Sequence, residues 1–217
     1  MASLDTSDFR ALRHGMIEAD LRGRGISDSR VLKAMAEVPR EEFVPEALRE
    51  EAYDDRPLSI GFHQTISQPY TVAFMLQSLS LRNGDTVLEI GTGSGYAAAV
   101  LSLLAVTVHT VECIPELAKT AQRRLQRLGY RNVHVHVADG SLGLPEYGPF
   151  DAIVVTAAAE ELPPPYAGQL ADGGRLVLPL GDAYCQSLYR FTKDGERLVS
   201  KDLGGFVFVP LTGRYGR

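Results

Sequence analysis

A strand-like run, Thr86–Ile90, passes directly into the glycine turn Gly91-Thr92-Gly93-Ser94-Gly95 and then into an apolar helical segment, Tyr96–Leu104. Strand, glycine turn and helix in direct succession open a βαβ unit, and this junction constrains the fold more than any other stretch. The same texture continues downstream. Val106–Glu112 reads as the next strand, and Pro115–Leu128 as a helix whose proline sits in the first turn, where a missing N–H costs nothing. Val133–Ala138, Phe150–Thr156 and Arg175–Pro179 supply further strands. Pro163–Leu170 reads as a short helix ended by Asp172-Gly173-Gly174, and Leu188–Phe191 and Phe206–Leu211 as late strands at the edge. Strands alternating with helices predict an α/β fold built on a doubly wound, mostly parallel sheet.

Ahead of that unit the texture is different. Residues 4–53 read as helical: Asp28-Ser29 can cap Arg30–Val38, where Val31, Leu32, Met35 and Val38 recur at helical spacing and Pro39 stops the run. A second amphipathic piece, Pro45–Tyr53, follows. Residues 54–69, with Pro57, Gly61 and Pro69, read as an irregular loop, and Tyr70–Leu79 as a helix. No repeat, low-complexity run or linker divides the chain. Residues 1–217 are therefore expected as a single domain, with 1–79 as a helical cover and 80–217 as the core and C-terminal strands.

Charge and cysteine content bound the partners and the compartment. Lys and Arg number 22 against 27 Asp and Glu, a formal net charge of −5, so no general pull toward nucleic acid or an anionic membrane is expected. The opening Met1–Asp8 lacks the basic and apolar regions of a signal peptide. The longest apolar stretch, Tyr96–Val108, is interrupted by Ser102 and Thr107 and falls short of the ~20 residues that span a bilayer. Cys113 and Cys185 are far apart and outside any CxxC spacing, which points to a reducing compartment. A cytoplasmic protein is expected.

The chemistry concentrates at the ends of the predicted strands. A glycine turn lets a ligand approach the backbone where no Cβ obstructs it, and the helix behind it offers N–H groups. Twenty-one residues after Gly91, at the end of the next strand, Glu112 can accept hydrogen bonds from both hydroxyls of a ribose. Glu89 lies on the strand just before the turn, where it would repel a pyrophosphate but tolerate a sulfonium cofactor with a cationic amino-acid end. That contrast favours S-adenosylmethionine over NAD. Asp139-Gly140 ends a third strand and can either accept from an adenine amino group or cap a helix. His134 and His136 share a strand face but lack a third ligand at metal spacing, so no metal is expected. Arg123, Arg124, Arg127 and Arg131 read as a solvated helix face.

Beyond these features the chain resembles the protein-L-isoaspartate (D-aspartate) O-methyltransferase family. The resemblance is carried by Ala36–Pro45, Ile60–Tyr70, Val87–Tyr96, Phe150–Ala158, Gly173–Gly181 and Phe208–Leu211, in family order. The block Gln64-Thr65-Ile66-Ser67-Gln68-Pro69 is the specific one, because the glycine turn is common to class I methyltransferases. Three positions depart from the family pattern: His63 and Ala138 stand where glycine is common, and Cys113 where bulkier residues are usual.

The resemblance implies a Rossmann-like class I S-adenosylmethionine-dependent methyltransferase fold. It makes Ser67 the active-site residue, with Gln64 and Thr65 on the same cofactor-covering loop. Gly91, Gly93 and Gly95 would face the methionine end of the cofactor, Glu112 the ribose, Asp139 and Gly140 the adenine, and Thr212 the site from the C-terminal side. The implied reaction is methyl transfer to the free α-carboxylate of L-isoaspartyl residues in damaged proteins and peptides, leaving S-adenosylhomocysteine and a methyl ester that cyclises to succinimide. A monomer with no metal, nucleic-acid or membrane partner is expected. Two other readings stay open at this point: a same-fold methyltransferase acting on RNA or a small molecule, and a non-catalytic adaptor.

Overall fold

The computed structural model of the protein describes residues 6–216, so the part of the leader expectation that rests on Met1–Asp5 lies outside the described residues. Helix α1 (Thr6–Gly15) runs on through a π-helical turn, Met16–Leu21, into a 3-10 turn, Arg22–Arg24. Helix α2 (Ser29–Glu37) is capped by Asp28, whose carboxylate accepts from the amides of Arg30 at 2.8 Å and Val31 at 3.3 Å. Its expected stripe of Val31, Leu32 and Met35 is buried, as is Val38 just past its end. The piece expected over Pro45–Tyr53 is a six-residue 3-10 helix, Glu46–Glu51.

Helix α3 (Pro69–Leu79) leads into the core, which alternates strand and helix as β3 (Thr86–Ile90), α4 (Tyr96–Ser102), β4 (Thr107–Glu112), α5 (Pro115–Arg127) and β5 (Val133–Val137). Strand β6 (Phe150–Val155), helix α6 (Pro164–Gln169) and strands β7 (Leu170–Gly181), β8 (Gln186–Asp194) and β9 (Arg197–Gly205) complete it. The seven-stranded sheet has the order β5-β4-β3-β6-β7-β8-β9, parallel as far as β7 and antiparallel beyond it. Successive residues of the central strands face opposite sides. Val87, Val108, Ala152, Val154 and Val177 enter one apolar cluster, and Leu88, Ile90, Ile153, Val155 and Leu176 the other. The first cluster also takes Met16, Leu21, Leu32, Met35 and Phe43, so the N-terminal helices pack directly on the sheet side that carries α4.

Three local expectations are corrected. Residues 54–69 hold an antiparallel hairpin, β1 (Leu58–Gly61) and β2 (Gln64–Ile66), with buried Leu58 opposite buried Ile66. Its turn residues, Phe62 and His63, both adopt positive φ, 53° and 57°, without the Asn-Gly or Asp-Gly pair that normally announces such a turn. The run Asp172-Gly173-Gly174 does not end a helix. It lies within β7, where the register jumps from Leu170 opposite Phe150 to Arg175 opposite Ala152. The last strand is Arg197–Gly205 rather than Phe206–Leu211: it is polar because it is an exposed edge, and β8 pairs with it through a two-residue turn. Residues 206–212 instead cross the carboxyl end of β6, pinned by the Ala158 amide to the Val209 carbonyl and the Leu211 amide to the Ala158 carbonyl, both at 2.8 Å.

Candidate active site

Strand order reverses between β3 and β6, since the chain leaves β3 toward β4 on one side while β6 lies on the other. In open α/β sheets the crevice outside the carboxyl ends at such a point is where ligands bind. A pocket opens there. Its floor is Glu89–Ser94 and Thr156, one wall is Glu112, Cys113 and Gly140, and its roof is Gln64–Ser67 with Val209–Thr212.

The floor is shaped by backbone approach. Gly91 has φ +97°, and a Cβ there would sit 2.3 Å from the Thr156 Oγ1, which itself donates to the carbonyls of Ile90 and Gly91 at 3.0 Å. The turn's own amides are engaged within the protein: those of Gly91 and Thr92 donate to the Val111 carbonyl, and that of Gly93 to Glu112 Oε2 at 2.8 Å. Glu112 thus fixes the turn with one oxygen while the other accepts from the Ile114 amide at 3.1 Å. Gly95 packs against helix α5. It lies outside the pocket lining, and a Cβ on it would press on Ala121 and Leu125 of α5 at 3.3 Å.

Glu89 is fully buried. Its Oε2 accepts from Thr110 Oγ1 at 2.5 Å, and Thr110 is in turn 2.7 Å from Thr92 Oγ1, whereas Oε1 has no partner. Burial pushes the carboxyl up to about 8, with the Thr110 hydrogen bond opposing and the Glu112 charge adding to the rise. An unpartnered buried oxygen on the pocket floor fits a ligand that brings a cation or a donor.

Asp139 sits outside the lining, and only its neighbour Gly140 reaches the pocket. Asp139 caps the following 3-10 turn: Oδ1 accepts from the Ser141 amide at 2.9 Å and hydroxyl at 2.7 Å, and Oδ2 from the Arg214 amide at 2.8 Å. Burial alone would raise this carboxyl, yet those hydrogen bonds hold it below the ordinary range. Thr212 lies in the roof, its Oγ1 3.3 Å from Cys113 Sγ, so the unusual cysteine joins the C-terminal segment to the Glu112 wall.

The hairpin delivers Gln64, Thr65 and Ser67 to the roof, close enough to the turn that a Cβ at Gly93 would meet Ile60 Cδ1 at 3.4 Å. Arg40, which sequence reasoning passed over, holds it there, and Asp55 fixes the start of α3 just behind it. Arg40, fully buried and stacked 4.8 Å from the Tyr96 ring, donates to the Ser67 carbonyl at 2.8 Å and the Ala52 carbonyl at 2.7 Å. Asp55 pairs with Arg24 and accepts from the Tyr70 amide at 2.9 Å. The arginine run is less solvated than expected: Arg124 donates to the Ser94 carbonyl at 2.7 Å and Arg127 to Glu42 at 2.7 Å. His134 and His136 join His109 and Tyr147 in a ring stack, with His109 Nδ1 3.1 Å from His136 Nε2. Among the described residues no group of three or more His, Cys, Asp or Glu side chains could hold a metal, and no helix is long and apolar enough to cross a membrane.

Comparison with known proteins gives one consistent answer. Residues 12–216 match the protein-L-isoaspartate(D-aspartate) O-methyltransferase family. The chain is 53% identical over 209 residues to protein-L-isoaspartate O-methyltransferase 1 of Syntrophobacter fumaroxidans, covering 96% of this chain and 98% of that one. Among solved structures, a protein-L-isoaspartate O-methyltransferase superposes with a TM-score of 0.84 at 33% identity, over 94% of this chain and 67% of the other. A Plasmodium falciparum structure described as a protein-L-isoaspartate O-methyltransferase in complex with S-adenosyl-L-homocysteine gives 0.80 at 28% identity, over 94% and 98%. With a family model matched over residues 12–216 and relatives half identical along almost their whole length, the chain belongs to the protein-L-isoaspartate(D-aspartate) O-methyltransferase family.

Proposed function

We propose that the Gln64–Ser67 roof and the Gly91–Glu112 wall together form the active site of a protein-repair enzyme. It transfers a methyl group from S-adenosylmethionine to the free α-carboxylate of L-isoaspartyl residues. One observation carries the reading: the family-specific hairpin and the cofactor-type turn line the same pocket.

The residues fit the cofactor. Gly91 and Gly93 leave room for its methionine end, and Glu89 presents an unpartnered oxygen at the floor for a cation. Glu112 would take the ribose and Gly140 the adenine side, with Asp139 holding that corner in shape. When bound, S-adenosylmethionine supplies an electrophilic methyl group. The acceptor, an α-carboxylate with an ordinary pKa near ~3.5, is already ionised at neutral pH and needs no general base. The chain's work is alignment and exclusion of water, which can supply roughly 7–11 kcal/mol of the barrier. Ser67 donates a hydrogen bond that orients the carboxylate, Gln64 and Thr65 close the roof, and Thr212 closes it from the C-terminal side.

The cover and core are read as one functional domain, supported by the apolar cluster they share. A cytoplasmic monomer without nucleic-acid or membrane partners is the accompanying proposal; the exposed free thiols Cys113 and Cys185 support a reducing compartment. The direct test offers an isoaspartyl peptide and its normal aspartyl twin. Methylation of the first alone is expected, and equal methylation of both, or of neither, would overturn the assignment.

A further inference from the structure

Glu89 has no task in the alignment of acceptor and methyl donor, yet it is a fully buried ionisable group on the pocket floor. The groups around it are few. Strand β4 contributes the Thr110 hydroxyl and, at its end, Glu112; the glycine turn contributes Thr92. Helix α4 contributes Tyr96, whose hydroxyl turns away to Met35 Sδ at 3.5 Å, and β6 and α3 offer only apolar side chains to the lining apart from the β6-end Thr156. The roof adds neutral Gln64, Thr65, Ser67 and Thr212, with the Cys113 thiol beside it. Among the described residues no cation lines the pocket, so a charge on Glu89 has only the Thr110 hydrogen bond to favour it, and the charged neighbour in the lining, Glu112, has the same sign.

We propose that Glu89 couples cofactor binding to proton release: it is a neutral acid in the cofactor-free enzyme and becomes a carboxylate against the cationic methionine end of S-adenosylmethionine. This rests on reading the pocket as the cofactor site. The carboxyl O–H bond breaks, its proton passes to the buffer, and the carboxylate left behind pairs with the incoming cation. Burial, which holds the carboxyl near 8 without a partner, then favours the ion pair over either charge alone. Affinity must therefore rise with pH wherever the free enzyme holds that proton and the complex does not. A ligand with the same adenosine but no cation gains nothing from Glu89.

Isothermal titration with S-adenosylmethionine tests this at pH 6.5, where the cofactor's own amino group, with an ordinary pKa near ~7.7–8.0, stays protonated. Repeating the titration in two buffers of different ionisation enthalpy counts the protons. Close to one proton released per cofactor is expected, with affinity rising roughly tenfold per pH unit from 6 to 7.5 and levelling near 8. Glu89→Gln keeps the shape and an acceptor for Thr110, and is expected to bind without proton release and with a flat pH profile. Wild-type binding with no proton release overturns the inference, as does a Glu89→Gln variant that still releases one. Absence of any binding would instead overturn the cofactor reading on which it rests.

Discussion

The floor and wall of the pocket, Gly91–Ser94 and Glu112 (together called the wall below), take their shape from adjacent strands, β3 and β4, while the roof built from Gln64–Ser67 is held by Arg40 from the N-terminal cover, with Asp55 fixing the start of α3 just behind it. In the first, a glutamate at one strand end receives the Gly93 amide of the next. In the second, a buried guanidinium bridges the Ser67 and Ala52 carbonyls, with one nitrogen, Nη1, left without a partner. The wall is rigid because the sheet is rigid. The roof is rigid only while its cover stays packed. Cofactor affinity should therefore depend on the wall and transfer to the substrate on the roof, and substitutions in each should separate the two.

The largest effect is expected at Gly91. A Gly91→Val side chain would have to displace Thr156 at a positive φ, so S-adenosylhomocysteine affinity should fall more than ~100-fold by titration calorimetry. Retained micromolar binding would break the assignment of the wall. Glu112→Gln comes next. It loses charge-assisted hydrogen bonds worth about 1.5–3 kcal/mol, so a rise of ~10–150-fold in the dissociation constant is expected. Arg40→Met, which keeps an apolar chain over Tyr96 but loses the bond to the Ser67 carbonyl, should act mainly on the roof, lowering kcat about tenfold and speeding hydrogen exchange at residues 58–67 while cofactor affinity stays within about twofold. An unchanged exchange pattern would show that the hairpin needs no such anchor.

The smallest effect lies away from both regions. Burial, with help from His136 and His134, holds His109 down at about 4, so the folded protein resists a proton that the unfolded chain accepts near 6.5. Stability is then fully present above pH 6.5 and declines as pH falls from 6.5 toward 4, by at most ~1.4 kcal/mol per unit for this group. Urea unfolding at pH 5 and 7.5 should show a smaller pH difference for His109→Gln than for the wild type.

The same contrast explains what the sequence revealed. Strands β3 to β6 were legible because each is a short run rich in β-branched residues bounded by a turn or helix signal, and Glu112 because its spacing from Gly91 follows from the βαβ unit. Ser67 and its neighbours were legible only through resemblance, since nothing local marks a hairpin whose turn is Phe62-His63. Arg40 was invisible for a different reason: an arginine between Pro39 and Glu41 reads as surface charge until tertiary packing buries it. The polar edge strand Arg197–Gly205 carries no period-2 apolar signal, because neither face is deeply covered.

The central claim, that wall and roof divide cofactor binding from substrate alignment, is tested most directly by a crossed measurement on Ser67→Ala and Glu112→Gln. Each variant is titrated with S-adenosylhomocysteine and assayed for methyl transfer to an isoaspartyl peptide under saturating cofactor. The account predicts that Ser67→Ala loses about 10- to 100-fold in kcat/KM for the peptide with a dissociation constant within twofold of wild type. Glu112→Gln should lose cofactor affinity first and recover most of its turnover at saturation. A Ser67→Ala variant that loses cofactor binding as severely as Glu112→Gln would contradict the division.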